Sequence, residues 1–229
     1  MDSLGNFDSK NSSTDEVYEF FNNFIFSDDI KILGKLIWRH KFFEMVKDLT
    51  GDIVEVGVFK GSGVATFNKF FKIFFPNSIR RVIGFDMFDG DAPLSNDSVK
   101  DADEMKKVYA RVSKSELSLE SVRARLGINS DIILVKGDVE DTLPKFLEEN
   151  PGFRISLLYI DVDIERPTYI ALKNLWNRVV PGGVIVFDEY EYHKFSESTG
   201  VEKFMKEFNL NEKITTTHFM APTAYIIKN

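Results

Sequence analysis

Five short apolar runs in this chain each stop at, or one or two residues before, a carboxylate, and the first also runs into a glycine turn. The first reads Asp52-Ile53-Val54-Glu55-Val56, followed by Gly57-Val58-Phe59-Lys60-Gly61-Ser62-Gly63. This is a strand, a tight turn and a helix start in one segment. The pattern recurs at Arg81–Phe85 before Asp86, and at Asp131–Val135 before Gly137-Asp138. It recurs again at Ile155–Ile160 before Asp161, and at Val184–Phe187 before Asp188-Glu189. Helical patterns lie between the runs. Phe67, Phe70, Phe71 and Phe74 fall at i, i+3, i+4 and i+7, as do Leu172, Leu175, Trp176 and Val179. The aromatic stripe of Phe67, Phe70, Phe71 and Phe74 is read as core. Strands alternating with helices predict a parallel sheet. Glu55, Asp86, Asp138, Asp161 and Asp188 then gather at one edge, where open α/β sheets bind ligands.

The spacing divides the chain into a polar tail at residues 1–14, a helical arm at 15–50 and an α/β domain at 51–229. Two helices are expected in the arm. One carries Val17, Phe20, Phe21 and Phe24. The other is capped by Ser27-Asp28-Asp29 and runs to Val46, with Gly51 closing the segment. The arm is expected to cover the site or to make a homo-oligomer contact. The polar stretch Met87–Lys100 is long for a compact domain and is expected to act as a lid. Helices are expected at about Asp101–Val112, Lys114–Leu126 and Val139–Glu149, with Pro144 offering a second start for the last. Pro181-Gly182-Gly183 is expected to end the helix through Val179. A helix at Val201–Phe208 precedes strands at Lys213–Phe219 and Ala224–Ile227, which predict an antiparallel hairpin at one edge of the sheet.

Composition narrows the chemistry. The chain has no cysteine, so thiolate metal sites and a cysteine nucleophile are excluded. A net charge of -7 argues against nucleic acid as partner. No apolar run approaches the roughly 20 residues of a membrane span. The polar, acidic N-terminus is unlike a signal peptide, so a cytoplasmic location is expected.

The glycine turn departs from the dinucleotide fingerprint G-x-G-x-x-G, because Phe59 stands where the second glycine belongs. A bulky residue there disfavours a pyrophosphate. An adenosine without phosphates stays open as the ligand; its ribose diol would suit Asp86 and its exocyclic amine Asp138.

Glu55-Val56-Gly57, Asp86, Gly137-Asp138 and Pro181-Gly182-Gly183, in this order, resemble the class I S-adenosylmethionine-dependent methyltransferases. The longer segments Gly51–Val58 with Gly61, Asp86–Gly90, Gly137–Leu143, Ile160–Asp163 and Val186–Tyr190 resemble, more narrowly, the macrocin O-methyltransferase family. The resemblance implies a Rossmann-like, mostly parallel seven-stranded sheet and methyl transfer to a hydroxyl of a sugar or sugar-containing small molecule. It implies a cofactor site at Glu55, Val56, Gly57, Val58, Gly61, Ser62, Asp86, Gly137, Asp138, Val139 and Asp161. It also implies a divalent metal, Mg²⁺ or another hard cation, on Asp161, Asp188 and Glu189. Two departures stand out: Asp161-Val162-Asp163-Ile164-Glu165 replaces the family's Asp-Gly-Asp followed by Leu-Tyr, and Asp188-Glu189 replaces its Asp-Asp pair. Asp161 is the first candidate for the base that accepts the acceptor's proton, and His193, soon after the fifth strand, is the second. A catechol-type acceptor and a non-catalytic S-adenosylmethionine-binding role are the competing readings.

Overall fold

A computed structural model describes residues 13–89, 99–127 and 132–229. Most of the expected lid and nearly all of the polar tail lie outside these residues. The elements in chain order are α1 (Thr14–Ile25), α2 (Ile30–Val46), β1 (Asp52–Val56), α3 (Ser62–Phe74), β2 (Val82–Asp86) and α4 (Val99–Tyr109). There follow a 3-10 turn (Lys114–Leu117), α5 (Leu119–Leu126), β3 (Ile132–Lys136), α6 (Val139–Glu149), β4 (Ile155–Ile160) and α7 (Glu165–Leu175). The chain ends with β5 (Val179–Phe187), α8 (Glu197–Glu207), β6 (Ile214–Thr216) and β7 (Ala224–Ile227).

The seven strands form one sheet in the order β3-β2-β1-β4-β5-β7-β6. β1 to β5 are mutually parallel, and β7 runs antiparallel to both of its neighbours. The chain leaves β1 toward β2 on one side and returns as β4 on the other, so the order reverses between β1 and β4. A crevice opens there at the carboxyl ends of the strands. The central strands are buried on both faces, which is why they read as continuous apolar runs. Val54, Val56, Ile83, Phe85, Leu158 and Ile185 pack against α6, α7 and α8. Ile53, Val82, Leu157, Tyr159, Val184 and Val186 pack on the opposite face against α2, α3 and α5. Among the described residues no helix is long and apolar enough to cross a membrane.

The expected antiparallel hairpin forms at one edge of the sheet, with β7 beside β5 and the short β6 outermost. Other expectations are corrected. β5 begins at Val179, before Pro181-Gly182-Gly183, and its register with β4 jumps from Ile155↔Val179 to Leu157↔Val184. Proline has no ladder donor and Gly182 sits at φ +79, so these residues form a bulge within the strand. α7 accordingly stops at Leu175, and a 3-10 turn follows it at Trp176–Arg178. α6 spans Val139–Glu149 as expected, with Pro144 inside it and not at its start, because the Asp138 side chain accepts from the Glu140 amide and caps it. The helix expected at 114–126 is split by Ser118, whose hydroxyl accepts from the Ser121 amide and starts α5 afresh.

The arm is not a separate layer. Phe42, Phe43 and Val46 of α2 are fully buried against the sheet. A Cβ on Gly34 would lie 2.1 Å from the Phe219 ring, so α2 is also held closely by the segment between β6 and β7. α1, by contrast, buries no residue and leaves Tyr18, Phe21 and Phe26 exposed.

Candidate active site

The site begins at the glycine turn. Gly57 adopts φ +93, and a Cβ there would lie 1.8 Å from the backbone oxygen of Asp161. Only glycine lets the β1 and β4 ends approach this closely. Beyond it the chain curls around Asp86. The amides of Val58 and Phe59 donate to Asp86 Oδ2 at 2.8 and 2.9 Å, and the Phe88 amide donates to Oδ1 at 2.7 Å. Phe59 is held at φ +52 by this arrangement. Burial pushes the Asp86 carboxyl up, and the three amides pull the other way.

Glu55 lies inside β1 and is 1 % exposed. Its carboxylate occupies the space a side chain at position 63 would need, since a Cβ on Gly63 would lie 1.7 Å from Glu55 Oε1. Arg39 Nη2 of α2 stands 3.5 Å from the same oxygen. Burial lifts the Glu55 carboxyl to about 7 against the pull of Arg39. Glu55 Oε2 and Arg39 Nε are buried with no hydrogen-bond partner.

The turn opens into a cavity of about 960 Å³ that continues past the β4 end to α2 and the residues after β5. That volume is near the top of the range for small-molecule sites, so there is room for two ligands side by side. Glu55, Gly57, Val58, Ser62, Asp86, Gly137, Asp138, Val139, Asp161, Asp188 and Glu189 all line it. Val56 is core, and Gly61, at φ +93, caps α3; neither is on the wall. His193 is also off the wall. It is exposed, and its ring sits 4.9 Å from that of Tyr192.

At the far end, acids and cations interleave. Lys35 Nζ lies 3.1 Å from Asp161 Oδ2 and 2.8 Å from Asp188 Oδ2. The buried Tyr159 hydroxyl donates to Asp188 Oδ1 at 2.7 Å. Lys31 Nζ is 3.5 Å from Glu189 Oε1. The Glu189 amide donates to the wholly buried Glu197 at 3.0 Å. Burial and then Asp188 push the Asp161 carboxyl up, and Lys35 opposes them. Asp163 sits at φ +65, and its carboxyl is pushed well up by burial and by Asp161. Burial pulls the Lys35 ammonium down, but Asp161 and Asp188 outweigh it and the net shift is upward.

Lys31, Lys35, Arg39, Tyr159, Asp163 and Glu197 are the residues that sequence reading missed. For the three cations a signal exists. They recur every fourth residue on a helix whose later turns bury Phe42, Phe43 and Val46, so they share one face. Tyr159 and Glu197 carry no such mark.

With this geometry in view, the comparisons with known proteins are specific. The sequence matches the TylF macrocin-O-methyltransferase family over residues 41–223. The chain belongs to that family. It is 33 % identical over 144 residues to the 8-demethyl-8-(2,3-dimethoxy-alpha-L-rhamnosyl)-tetracenomycin-C 4'-O-methyltransferase of Streptomyces olivaceus, covering 61 % of this chain and 53 % of that one. It is 24 % identical over 173 residues to the demethyldecarbamoylnovobiocin O-methyltransferase of Streptomyces niveus, covering 74 % and 63 %. The chain thus spans between half and two-thirds of the length of these relatives. Among solved structures, the calicheamicin methyltransferase CalS11 superposes with a TM-score of 0.74 at 26 % identity, over 95 % of this chain and 87 % of that one. The O-methyltransferase NovP superposes with a TM-score of 0.71 at 22 % identity, over 85 % and 79 %, which speaks for the fold. The seven-stranded class I methyltransferase architecture is thereby established for this chain.

Proposed function

We propose that the protein transfers the methyl group of S-adenosylmethionine to a hydroxyl of a sugar-containing small molecule. The observation that carries this is a cavity with two unlike ends. One end offers a glycine turn and Asp86, and the other gathers carboxylates under a lysine. The relatives named above as sugar and antibiotic O-methyltransferases support the acceptor class.

At the first end, Asp86 accepts three amide bonds and retains lone pairs for a ribose diol. The unpartnered Glu55 Oε2 suits the cofactor's amino group. Asp138 caps α6 through one oxygen and keeps the other for the adenine amine. At the second end, an acceptor hydroxyl must be brought in line with the sulfonium methyl at near-attack distance. Its proton goes to a cavity carboxylate. Asp161 is tied to Lys35, whereas Asp163 makes no hydrogen bond or ion pair among the described residues, and burial and the neighbouring Asp161 raise its affinity for a proton, the direction a proton acceptor needs. The base therefore moves from Asp161 to Asp163 in this reading.

The family resemblance also implies a divalent cation on Asp161, Asp188 and Glu189. Their oxygens are the donors a hard cation takes. The space among them does not fit one, because the Lys35 ammonium lies between Asp161 and Asp188 and Lys31 stands against Glu189. No group of three or more acids or histidines among the described residues is arranged as a metal site.

The test is methyl transfer from radiolabelled S-adenosylmethionine to a panel of rhamnosides, other deoxysugar glycosides and catechol. Labelled glycosides are expected. Label on catechol alone would favour the catechol reading, and cofactor binding without transfer to any acceptor would favour a binding role.

A further inference from the structure

Asp161, Asp163, Asp188 and Glu189 crowd the ends of two neighbouring strands. Carboxylates this close cannot all stay ionised without a positive charge among them. The chain supplies that charge from α2. Lys35 projects into the cluster with its side chain only 17 % exposed, and its ammonium bridges one oxygen of Asp161 and one of Asp188. The other Asp188 oxygen is taken by Tyr159. One turn earlier Lys31 meets Glu189, and one turn later Arg39 meets Glu55. α2 is fixed in place by Phe42, Phe43 and Val46 and by the close contact of Gly34 with Phe219, so this row of cations is rigidly presented. An ammonium has three N–H donors, and the two carboxylates use two. Lys35 lines the cavity, which leaves its third donor for a ligand there.

We propose that the Lys35 ammonium is the cation of this site, held where a divalent ion would otherwise bridge Asp161 and Asp188, and that it orients the acceptor hydroxyl by donating to its oxygen. In the transfer, the acceptor oxygen bonds the methyl carbon and the carbon–sulfur bond breaks. Sulfur keeps the electron pair as a neutral thioether, and the hydroxyl proton passes to the cavity carboxylate. Lys35 keeps its own protons throughout, and its fixed charge offsets the negative charge that develops on oxygen. The chemical step rests on the methyltransferase reading, but the occupancy of the cation position does not.

Mn²⁺ binding, followed by electron paramagnetic resonance, tests the occupancy without turnover. The wild type is expected to bind no stoichiometric Mn²⁺ at millimolar concentration. Lys35→Met removes the charge and keeps the length, and is expected to gain one Mn²⁺ per chain, a gain that Asp188→Asn then abolishes. In EDTA the wild type should keep its full rate. Lys35→Met should lose about 100-fold in kcat, as when one aimed donor is removed from an active site, with little change in KM for S-adenosylmethionine. Lys35→Arg should recover part of that loss. One tightly bound Mn²⁺ per wild-type chain, lost in Asp188→Asn, would overturn the proposal. So would a Lys35→Met protein that transfers methyl at the wild-type rate in EDTA, or one that folds yet gains no Mn²⁺. If Lys35→Met fails to fold, the wild-type Mn²⁺ measurement still decides. An absence of turnover in every variant would count against the methyltransferase reading and leave the Mn²⁺ result standing.

Discussion

The two ends of the cavity solve the same problem by different means. Both bring carboxylates out of water at strand ends. At the cofactor end, Asp86 is held by amides of the loops next to β1 and β2. At the acceptor end, Asp161 and Asp188 are held by a lysine from a helix more than a hundred residues earlier in the chain. The first arrangement is local and depends on backbone shape. The second depends on how α2 docks. Backbone donors cannot be mutated away, whereas a single substitution removes a lysine. The Asp86 cradle should therefore tolerate side-chain changes at Lys31 and Lys35 of α2, and the acceptor end should not.

The largest effect should come from breaking the point where the two ends meet. Gly57→Ala forces a Cβ to within 1.8 Å of the Asp161 backbone oxygen at φ +93. We expect a loss of about 4 kcal/mol in urea denaturation, the cost of strain with a clash that no side chain can relieve. A loss below about 1 kcal/mol would mean that β1 and β4 can separate freely at this turn.

The next effect sharpens the comparison through pH. The Glu55 carboxyl is lifted from 4.5 to about 7 in the folded chain. Below pH 4.5 it is protonated whether folded or not. Between 4.5 and 7 the unfolded chain gives up that proton while the folded chain keeps it, so this group destabilises the fold progressively as pH rises. Above about 7 both states are ionised and the penalty is constant, on the order of 3 kcal/mol. Glu55→Gln should remove this component, so its urea midpoint should fall less than that of the wild type between pH 4.5 and 7. Parallel curves would show that Arg39 neutralises Glu55 fully.

The smallest effect is expected at His193. It is exposed and off the cavity wall, so His193→Ala should leave kcat within about twofold of the wild type, the expectation for a surface substitution that touches neither ligand.

The difference between the two ends also explains what could be read from the sequence. The glycine turn, Asp86 and Gly137-Asp138 are contiguous with their strands, so apolar runs and turn chemistry place them together. That β1 to β5 run parallel follows from the same alternation of strands and helices. The place of β7 inside the sheet does not, because a hairpin pattern says nothing about which member pairs with β5. Pro181-Gly182-Gly183 reads as a break because proline and glycine interrupt helices, and in the fold it is a bulge in a strand. The acids after β4 and β5 were legible one by one. Their partners were not, since the pairing of Lys35 with Asp188 is settled only by the angle at which α2 crosses the sheet.

Calorimetric titration of S-adenosylhomocysteine into the wild type, Asp86→Ala and Lys35→Met tests the two-ended cavity most directly. The wild type should bind one equivalent per chain. Asp86→Ala should lose about 1–3 kcal/mol, the cost of removing a charge-assisted acceptor. Lys35→Met should bind as the wild type does, because its side chain belongs to the acceptor end. No binding by the wild type, or an equal loss in both variants, would contradict the assignment of the glycine turn to the cofactor and of the α2 lysine to the acceptor.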